Sequence, residues 1–182
     1  MPLLESQPPQ LGAALPSFAL PRVDGGLVNS HDLSGQAVAV FFLCGHCPYV
    51  QAVEERIVQL GRDFQDKPVQ FLAICSNDPT DYPEDSPAAL AQRVQDKGYP
   101  FPYLVDESQE VARAFEAVCT PEYFVYNAQH QLAYHGRLDN NWKEPENVSR
   151  EELRDALEAI LAGQPAPEPQ HPSMGCSIKW KA

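Results

Sequence analysis

The stretch that most constrains the fold is an apolar run that ends in two cysteines and is followed directly by a helix-length segment. Residues 38–43 are all apolar, a Cys-Gly-His-Cys motif occupies residues 44–47, and residues 49–64 carry apolar side chains at spacings of three and four. Pro48 marks a helix start, because proline lacks an N–H and is tolerated only in a helix's first turn. Both thiols are therefore expected at a helix N-terminus, where the backbone dipole favours thiolate over thiol.

Three further phrases extend this pattern along the chain. They read Leu-Pro-Ser-Phe-Ala-Leu at residues 15–20, Leu-Ser-Gly at residues 33–35 and Gly-Cys-Ser-Ile-Lys-Trp at residues 175–180. Together with the Cys-Gly-His-Cys motif they resemble the thioredoxin superfamily, and within it the peroxiredoxin-like proteins of the alkyl hydroperoxide reductase and thiol-specific antioxidant type. The dipeptide between the cysteines is similar to that of protein disulfide isomerase. The resemblance covers nearly the whole chain.

The resemblance implies an α/β, thioredoxin-like fold, with a central mixed β-sheet of four or five strands and helices on both faces. Two short strands about a Gly-Gly turn at residues 25–26 predict an N-terminal β-hairpin. Apolar patterns predict further strands at 69–75, 103–105, 122–126 and 132–136, and helices at 49–64, 88–97 and 108–118. A last helix is expected to open at residues 147–152, where Ser149 and Glu152 have the spacing of a capping box.

The length indicates one domain. A chain of 182 residues with 43% hydrophobic content can bury a single core, and division into two smaller ones is not expected. We expect an N-terminal arm (1–14), a thioredoxin-like domain (15–163) and an extended C-terminal tail (164–182) that packs back on the domain. The acidic stretch 76–87 is interpreted as a solvated loop, because its carboxylates lack the spacing of a cation site.

The resemblance also assigns roles to the motif. It implies that Cys44 is the nucleophile with a lowered pKa and that Cys47 attacks the mixed disulfide to release product. His46 between them is interpreted as an electrostatic tuner of the thiolate. The expected activity is thiol–disulfide exchange with a protein or small-molecule disulfide, and an external thiol reductant would restore the pair. No cofactor or metal is expected.

A second segment belongs to the same site by resemblance. Thioredoxin-fold proteins place a Thr-Pro, with its peptide bond in cis, opposite the dithiol, and Thr120-Pro121 has the matching place in this chain. Cys119 directly before it would lie near Cys44, either as a thiol that traps it or as a small apolar filler. Cys176 in the tail is either an additional resolving thiol or part of a structural clasp.

Charge and composition restrict the partners. Thirteen basic against 25 acidic residues give a net charge of −12, which opposes nucleic acids and anionic membrane surfaces. Residues 1–11 contain no basic residue and no apolar run of signal-peptide length, and no stretch approaches the ~20 apolar residues of a membrane span. A cytoplasmic location is expected, and cysteines there are rarely structural disulfides.

Three alternatives remain open. A thiol-dependent peroxidase of the peroxiredoxin type would need a Thr three residues before its attacking Cys, and Phe41 holds that position before Cys44, although Arg137 could supply a guanidinium. Four thiolates could in principle surround one Zn²⁺; they would come from Cys44, Cys47, Cys119 and Cys176. A non-catalytic module that keeps only the fold is the third alternative, and two intact thiols argue against it.

Overall fold

The computed structural model describes residues 3–182 of the chain. The described strands are β1 (Leu3–Glu5), β2 (Ala19–Pro21), β3 (Leu27–Asn29), β4 (Ala37–Phe42), β5 (Val69–Cys75), β6 (Tyr103–Val105), β7 (Cys119–Thr120), β8 (Glu122–Tyr126), β9 (Leu132–Gly136) and β10 (Met174–Ser177). The described α-helices are α1 (Pro48–Asp63), α2 (Pro87–Lys97), α3 (Glu110–Phe115) and α4 (Glu152–Leu161).

A five-stranded mixed sheet in the order β6-β5-β4-β8-β9 forms the centre of the molecule. Strands β4, β5 and β6 run parallel, and β8 and β9 are antiparallel to their neighbours. Every residue of β4 is buried, as expected for an apolar strand covered on both faces. Phe41 packs on the side of α1, α2 and α4, whereas Phe42 packs on the side of α3 and the hairpin. The predicted mixed sheet with helices on both faces is confirmed.

The start of α1 fixes the position of the dithiol. Pro48 is the first helical residue, as its missing N–H predicts, and Cys47 is the N-cap. Val50, Val53 and Ile57 are buried against the sheet, so the apolar stripe holds the helix by packing. The two cysteines therefore lie at the junction between the C-terminal end of β4 and the N-terminal end of α1.

The two ends of the chain meet in a second sheet. Strands β2 and β3 form the predicted N-terminal hairpin. Within the segment 1–14, for which the sequence predicts an N-terminal arm, Leu3–Glu5 is a β-strand. This strand pairs antiparallel with β10, which pairs in turn with β7. Backbone hydrogen bonds provide this pairing while the side chains of Leu3 and Leu4 stay exposed. An apolar pattern could not reveal it.

The last helix begins later than predicted, at Glu152, and the capping box is wrong. The Ser149 hydroxyl accepts a hydrogen bond from the Asn140 side chain, and Glu152 accepts two from Arg137. These tertiary partners replace the local cap. Helix α3 is also shorter than predicted, since it is limited to Glu110–Phe115. Among the described residues, no helix has both the length and the apolar character that crossing a membrane requires.

Candidate active site

Three segments that are far apart in the sequence converge on the dithiol. Cys44 Sγ lies 3.3 Å from Thr120 Oγ1, and Cys47 Sγ lies 3.4 Å from Thr120 O. The Thr120-Pro121 bond is cis. Strand β10 pairs Cys176 with Thr120, and Cys176 Sγ is 2.7 Å from Cys47 Sγ. The structure thus brings together the motif, the Thr-Pro segment and the tail cysteine.

The pKa values of the two motif cysteines shift in opposite directions. Burial raises the pKa of Cys44 well above its ordinary value, and its hydrogen bond to Cys47 and the charge of Asp85 add to the increase. The hydrogen bond from Cys44 lowers the pKa of Cys47 to about 5, helped by further hydrogen bonds from Cys176 and the Val50 backbone. The expected lowering of the pKa falls on Cys47 and not on Cys44.

The other thiols are protonated and differ in their surroundings. Burial raises the pKa of Cys176 to about 12, and its contact with Cys47 contributes. Burial, with the nearby Glu122 carboxylate, also raises the pKa of Cys119, whose Sγ lies 3.7 Å from Glu122 Oε2. No described hydrogen bond joins Cys119 to Cys44. Cys75 is buried at the end of β5, and burial raises its pKa.

A buried carboxylate supports the turn between the two cysteines. Asp85 Oδ1 accepts hydrogen bonds from the backbone N–H groups of Gly45 at 2.6 Å and His46 at 3.1 Å. Its Oδ2 is 2.5 Å from His46 Nδ1 and accepts a bond from Asn77. The imidazole also stacks on Tyr82, with ring centroids 4.0 Å apart. His46 is thus held by Asp85, and no described hydrogen bond joins it to either sulfur.

The interpretation of residues 76–87 as a solvated loop is wrong for Asp85, which is 2% exposed. Helix α2 fixes the end of this loop: Ser86 caps it by accepting a bond from the Ala89 N–H, and Pro87 is its first residue. Gly45 fits against the loop only because it has no side chain, since a Cβ there would meet Glu84 O at 2.5 Å. The Ser-Pro start of α2 was the available sequence signal for an ordered segment at this point.

The possible metal ligands are few. Within residues 3–182, Cys44, His46 and Asp85 are the group whose ligand atoms all lie within 4.8 Å of one another. The four-thiol zinc site is not formed. Both oxygens of Asp85 already accept hydrogen bonds from the turn and from Asn77. The arrangement therefore serves to order the turn.

A cavity of about 340 Å³ is lined in part by Pro121. Tyr49 and Trp142 form one wall, with ring centroids 4.5 Å apart. Tyr123 and Ser173 also line it, and their buried hydroxyls have no hydrogen-bond partner among the described residues. An aromatic wall and two unpaired hydroxyls beside the Thr-Pro segment are suited to a substrate group of mixed polarity.

Known protein families and solved structures include clear matches to this chain. The AhpC/TSA family profile matches residues 11–135. The chain belongs to the AhpC/TSA family. It is thus a peroxiredoxin-like member of the thioredoxin superfamily, and the resemblance based on its motifs is confirmed. No curated protein sequence matches it.

Solved structures extend the match over the whole AhpC/TSA-family chain. An uncharacterized conserved protein from Geobacillus kaustophilus is 46% identical, with a TM-score of 0.93 over 100% of this chain and 97% of that one. A hypothetical protein from Sinorhizobium meliloti 1021 is 35% identical, with a TM-score of 0.91 over 98% of both chains. A thiol:disulfide interchange protein of the thioredoxin family from Chlorobium tepidum is 22% identical. It has a TM-score of 0.59 over 68% of this chain and 84% of that one, which shows the shared fold.

Proposed function

We propose that this protein is a thiol–disulfide oxidoreductase whose redox couple is Cys44 and Cys47. The observation that carries the proposal is that both motif sulfurs lie at the start of α1 against Thr120 of the cis Thr120-Pro121 segment, with Cys44 Sγ 3.3 Å from the Thr120 hydroxyl and Cys47 Sγ 3.4 Å from the Thr120 carbonyl oxygen. A thiolate is the form that attacks disulfides, and a neighbouring thiol can resolve the product. The family match and the thioredoxin-type fold support a thiol redox role.

The proposed cycle starts when Cys44 loses its proton to solvent. The Cys44 thiolate attacks one sulfur of the substrate disulfide, whose S–S bond breaks, and the other sulfur leaves as a thiolate that takes up a proton from solvent. Cys47, as a thiolate, then attacks Cys44 Sγ, and the second substrate sulfur leaves as a thiolate that also takes up a proton from solvent. The protein is left with a Cys44–Cys47 disulfide. Two electrons from an external thiol reductant restore both thiols, and we propose that this occurs in the cytoplasm.

Cys44 is assigned the first attack because the family resemblance gives this role to the first cysteine of the motif, and because Cys47 Sγ is already in contact with the tail thiol Cys176. Cys47 Sγ contacts Thr120 O and Cys176, whereas the described polar contact of Cys44 Sγ is to the Thr120 hydroxyl. Both cysteines have no exposed surface. We propose that a substrate reaches them when the tail strand β10 moves away from Cys47, and that the cavity beside Pro121 holds the group next to the substrate disulfide.

Redox titration of the purified protein tests the couple. In defined ratios of reduced to oxidised dithiothreitol, the wild type should show one two-electron transition that forms a disulfide within residues 44–47. Cys44→Ser and Cys47→Ser should each abolish it, and Cys75→Ser, a buried thiol outside the site, should leave it unchanged. Catalysed reduction of insulin disulfides should be lost in the first two variants only. A wild type that forms no disulfide within the motif refutes the proposal.

Peroxide reduction is the second candidate, because the chain resembles peroxiredoxin-like proteins and belongs to the AhpC/TSA family. A hydroxyl does reach Cys44, from Thr120 at 3.3 Å, although Phe41 holds the position where a peroxiredoxin supplies one. However, Arg137 donates two hydrogen bonds to Glu152, at 2.7 and 2.6 Å, so this guanidinium is already paired. We expect insulin reduction to exceed peroxide consumption. Peroxide-dependent oxidation of a reductant at a higher rate than insulin reduction would favour the peroxidase.

A further inference from the structure

Cys47 has two sulfur neighbours, not one. Cys44 lies three residues earlier in the motif, and Cys176, which is 129 residues later in the chain, has its Sγ 2.7 Å from Cys47 Sγ. A sulfur in this position can form a disulfide with either neighbour, one at a time.

The backbone fixes Cys176 at this position. Strand β10 is hydrogen-bonded on both sides, with Cys176 opposite Leu3 on one side and opposite Thr120 on the other. The Ile178 N–H continues the contact by donating to Val118 O at 3.1 Å. Two strand partners hold the sulfur more firmly than a loop would. Its 2.7 Å distance to Cys47 Sγ is therefore a built feature of the fold.

The tail beyond β10 is also anchored. The Lys179 N–H donates to Asn77 Oδ1, and Lys179 O accepts from the Asp78 N–H and from the Gln109 side chain. Trp180 lies under the Arg113 guanidinium, 4.6 Å from its carbon. These contacts secure β10 on its C-terminal side, so the tail is a docked cover over the dithiol.

We propose that Cys176 is a third redox thiol of this site, and that Cys47 exchanges its disulfide partner between Cys44 and Cys176. The step starts from the Cys44–Cys47 disulfide, so it rests on the proposed function. Cys176, having lost its proton, attacks Cys47 Sγ. The Cys47–Cys176 bond forms, the Cys44–Cys47 bond breaks, and Cys44 leaves with the electron pair as a thiolate that takes up the proton. No electrons enter or leave, because the protein has one disulfide before and after.

The exchange changes what the oxidised protein presents. A Cys47–Cys176 disulfide joins strand β10 covalently to the N-terminus of α1, so the cover cannot leave Cys47. Cys44 becomes a free thiol again, and the disulfide now joins Cys47 to the tail strand. The external reductant must then reduce the Cys47–Cys176 disulfide, one sulfur of which belongs to the tail.

Tryptic mapping without reduction tests the proposal directly. Trypsin cuts after Lys and Arg and places both motif cysteines in peptide 23–56, Cys119 in 114–137 and Cys176 in 155–179. The full chain is oxidised with oxidised glutathione, and its free thiols are blocked with N-ethylmaleimide before digestion. We expect a species in which 23–56 and 155–179 are joined with the loss of two hydrogens. Tandem fragmentation should assign the bond to Cys47.

Variants separate this inference from the proposed function. Cys44→Ser removes the disulfide from which the exchange starts and should lose the cross-linked species, Cys176→Ser should lose it as well, and Cys75→Ser, a change at a buried thiol outside the site, should leave it as in the wild type. A wild type that closes the disulfide within 23–56 and carries a blocked Cys176 in every molecule overturns the inference and leaves the couple intact. A wild type that forms neither disulfide overturns both.

Discussion

Replacing Gly175 by Ala should uncover the dithiol. Gly175 lies in β10, and a Cβ built on it would stand 1.9 Å from Thr120 O and 3.1 Å from Pro121 Cδ. The nearer atom is backbone in strand β7 and cannot rotate away. Strands β10 and β7 must therefore separate in the variant, and they separate at the residue next to Cys176.

The magnitude follows from the packing conflict. Forcing extra atoms into a packed site costs about 1–3 kcal/mol, which is a factor of about 5 to 150 in an equilibrium constant. The conflict exists only while the tail is docked, so the undocked fraction should rise by this factor. Because Cys44 and Cys47 have no exposed surface, reagents reach them through this local opening. The rate of thiol modification should rise by the same factor.

The assay is the reaction of the reduced protein with excess chromogenic aryl disulfide, followed by peptide mapping of the sulfurs that reacted first. Gly35→Ala is the matched control: Gly35 has φ of +80°, and nothing lies within 4 Å of its added Cβ. The control therefore introduces backbone strain away from the tail. Wild-type reactivity of residues 44–47 in a folded Gly175→Ala protein would refute the reasoning that β10 covers the dithiol.

Three further predictions concern charge. The lowered pKa of Cys47 means that between pH 5 and pH 9 the folded state is deprotonated there and the unfolded state is protonated, so stability should rise with pH across this window and be lost as pH falls toward 5. In urea unfolding under reductant, Cys47→Ser should flatten this slope, by at most about 1.4 kcal/mol per pH unit, the value for one whole proton; equal slopes would contradict the assignment. Asp85→Asn removes a charge that raises the pKa of Cys44, so the pH profile of alkylation at Cys44 should move to lower pH, and an unmoved profile would exclude this influence. Glu122→Gln replaces the carboxylate in the buried 2.7 Å hydrogen bond with His135 by a neutral amide and should cost about 1.5–3 kcal/mol, the value for a hydrogen bond to a charged group. A loss below about 1 kcal/mol, the value for exposed pairs, would show that the His135 contact is energetically minor.

The sequence was informative where local chemistry decides the outcome. The sequence predicts strand β5 with its observed ends, because a mostly apolar run of seven residues is typical of a strand that is covered on both faces of a sheet. The start of α1 was predicted because Pro48 has no N–H to donate. The cis bond at Thr120-Pro121 followed from the resemblance, not from any property of the dipeptide itself.

Prediction failed where a distant partner outcompetes a local one. The spacing of Ser149 and Glu152 fits a capping box, but Asn140 and Arg137 bind these side chains instead. The acidic pattern of the surrounding residues indicates that Asp85 is solvated, which is wrong. Its burial depends on two backbone N–H groups of the dithiol turn, which lie 39 and 40 residues earlier in the chain. Such partners leave no periodic signal.

The position of the tail has the same cause, and it explains why the site holds three thiols. Strand pairing is made by backbone groups that all residues share, so the four residues of β10 need no apolar pattern to dock. What the sequence must supply is room, and Gly175 supplies it against Thr120. Once this close approach exists, the alternation of side chains along the strand fixes the side to which Cys176 points. The Cys176 sulfur then contacts Cys47, because Thr120 pairs with Cys176 across the sheet and its carbonyl oxygen contacts Cys47 Sγ. Strand β7 thus brings the Thr-Pro segment, strand β10 and Cys176 next to the sulfur of Cys47.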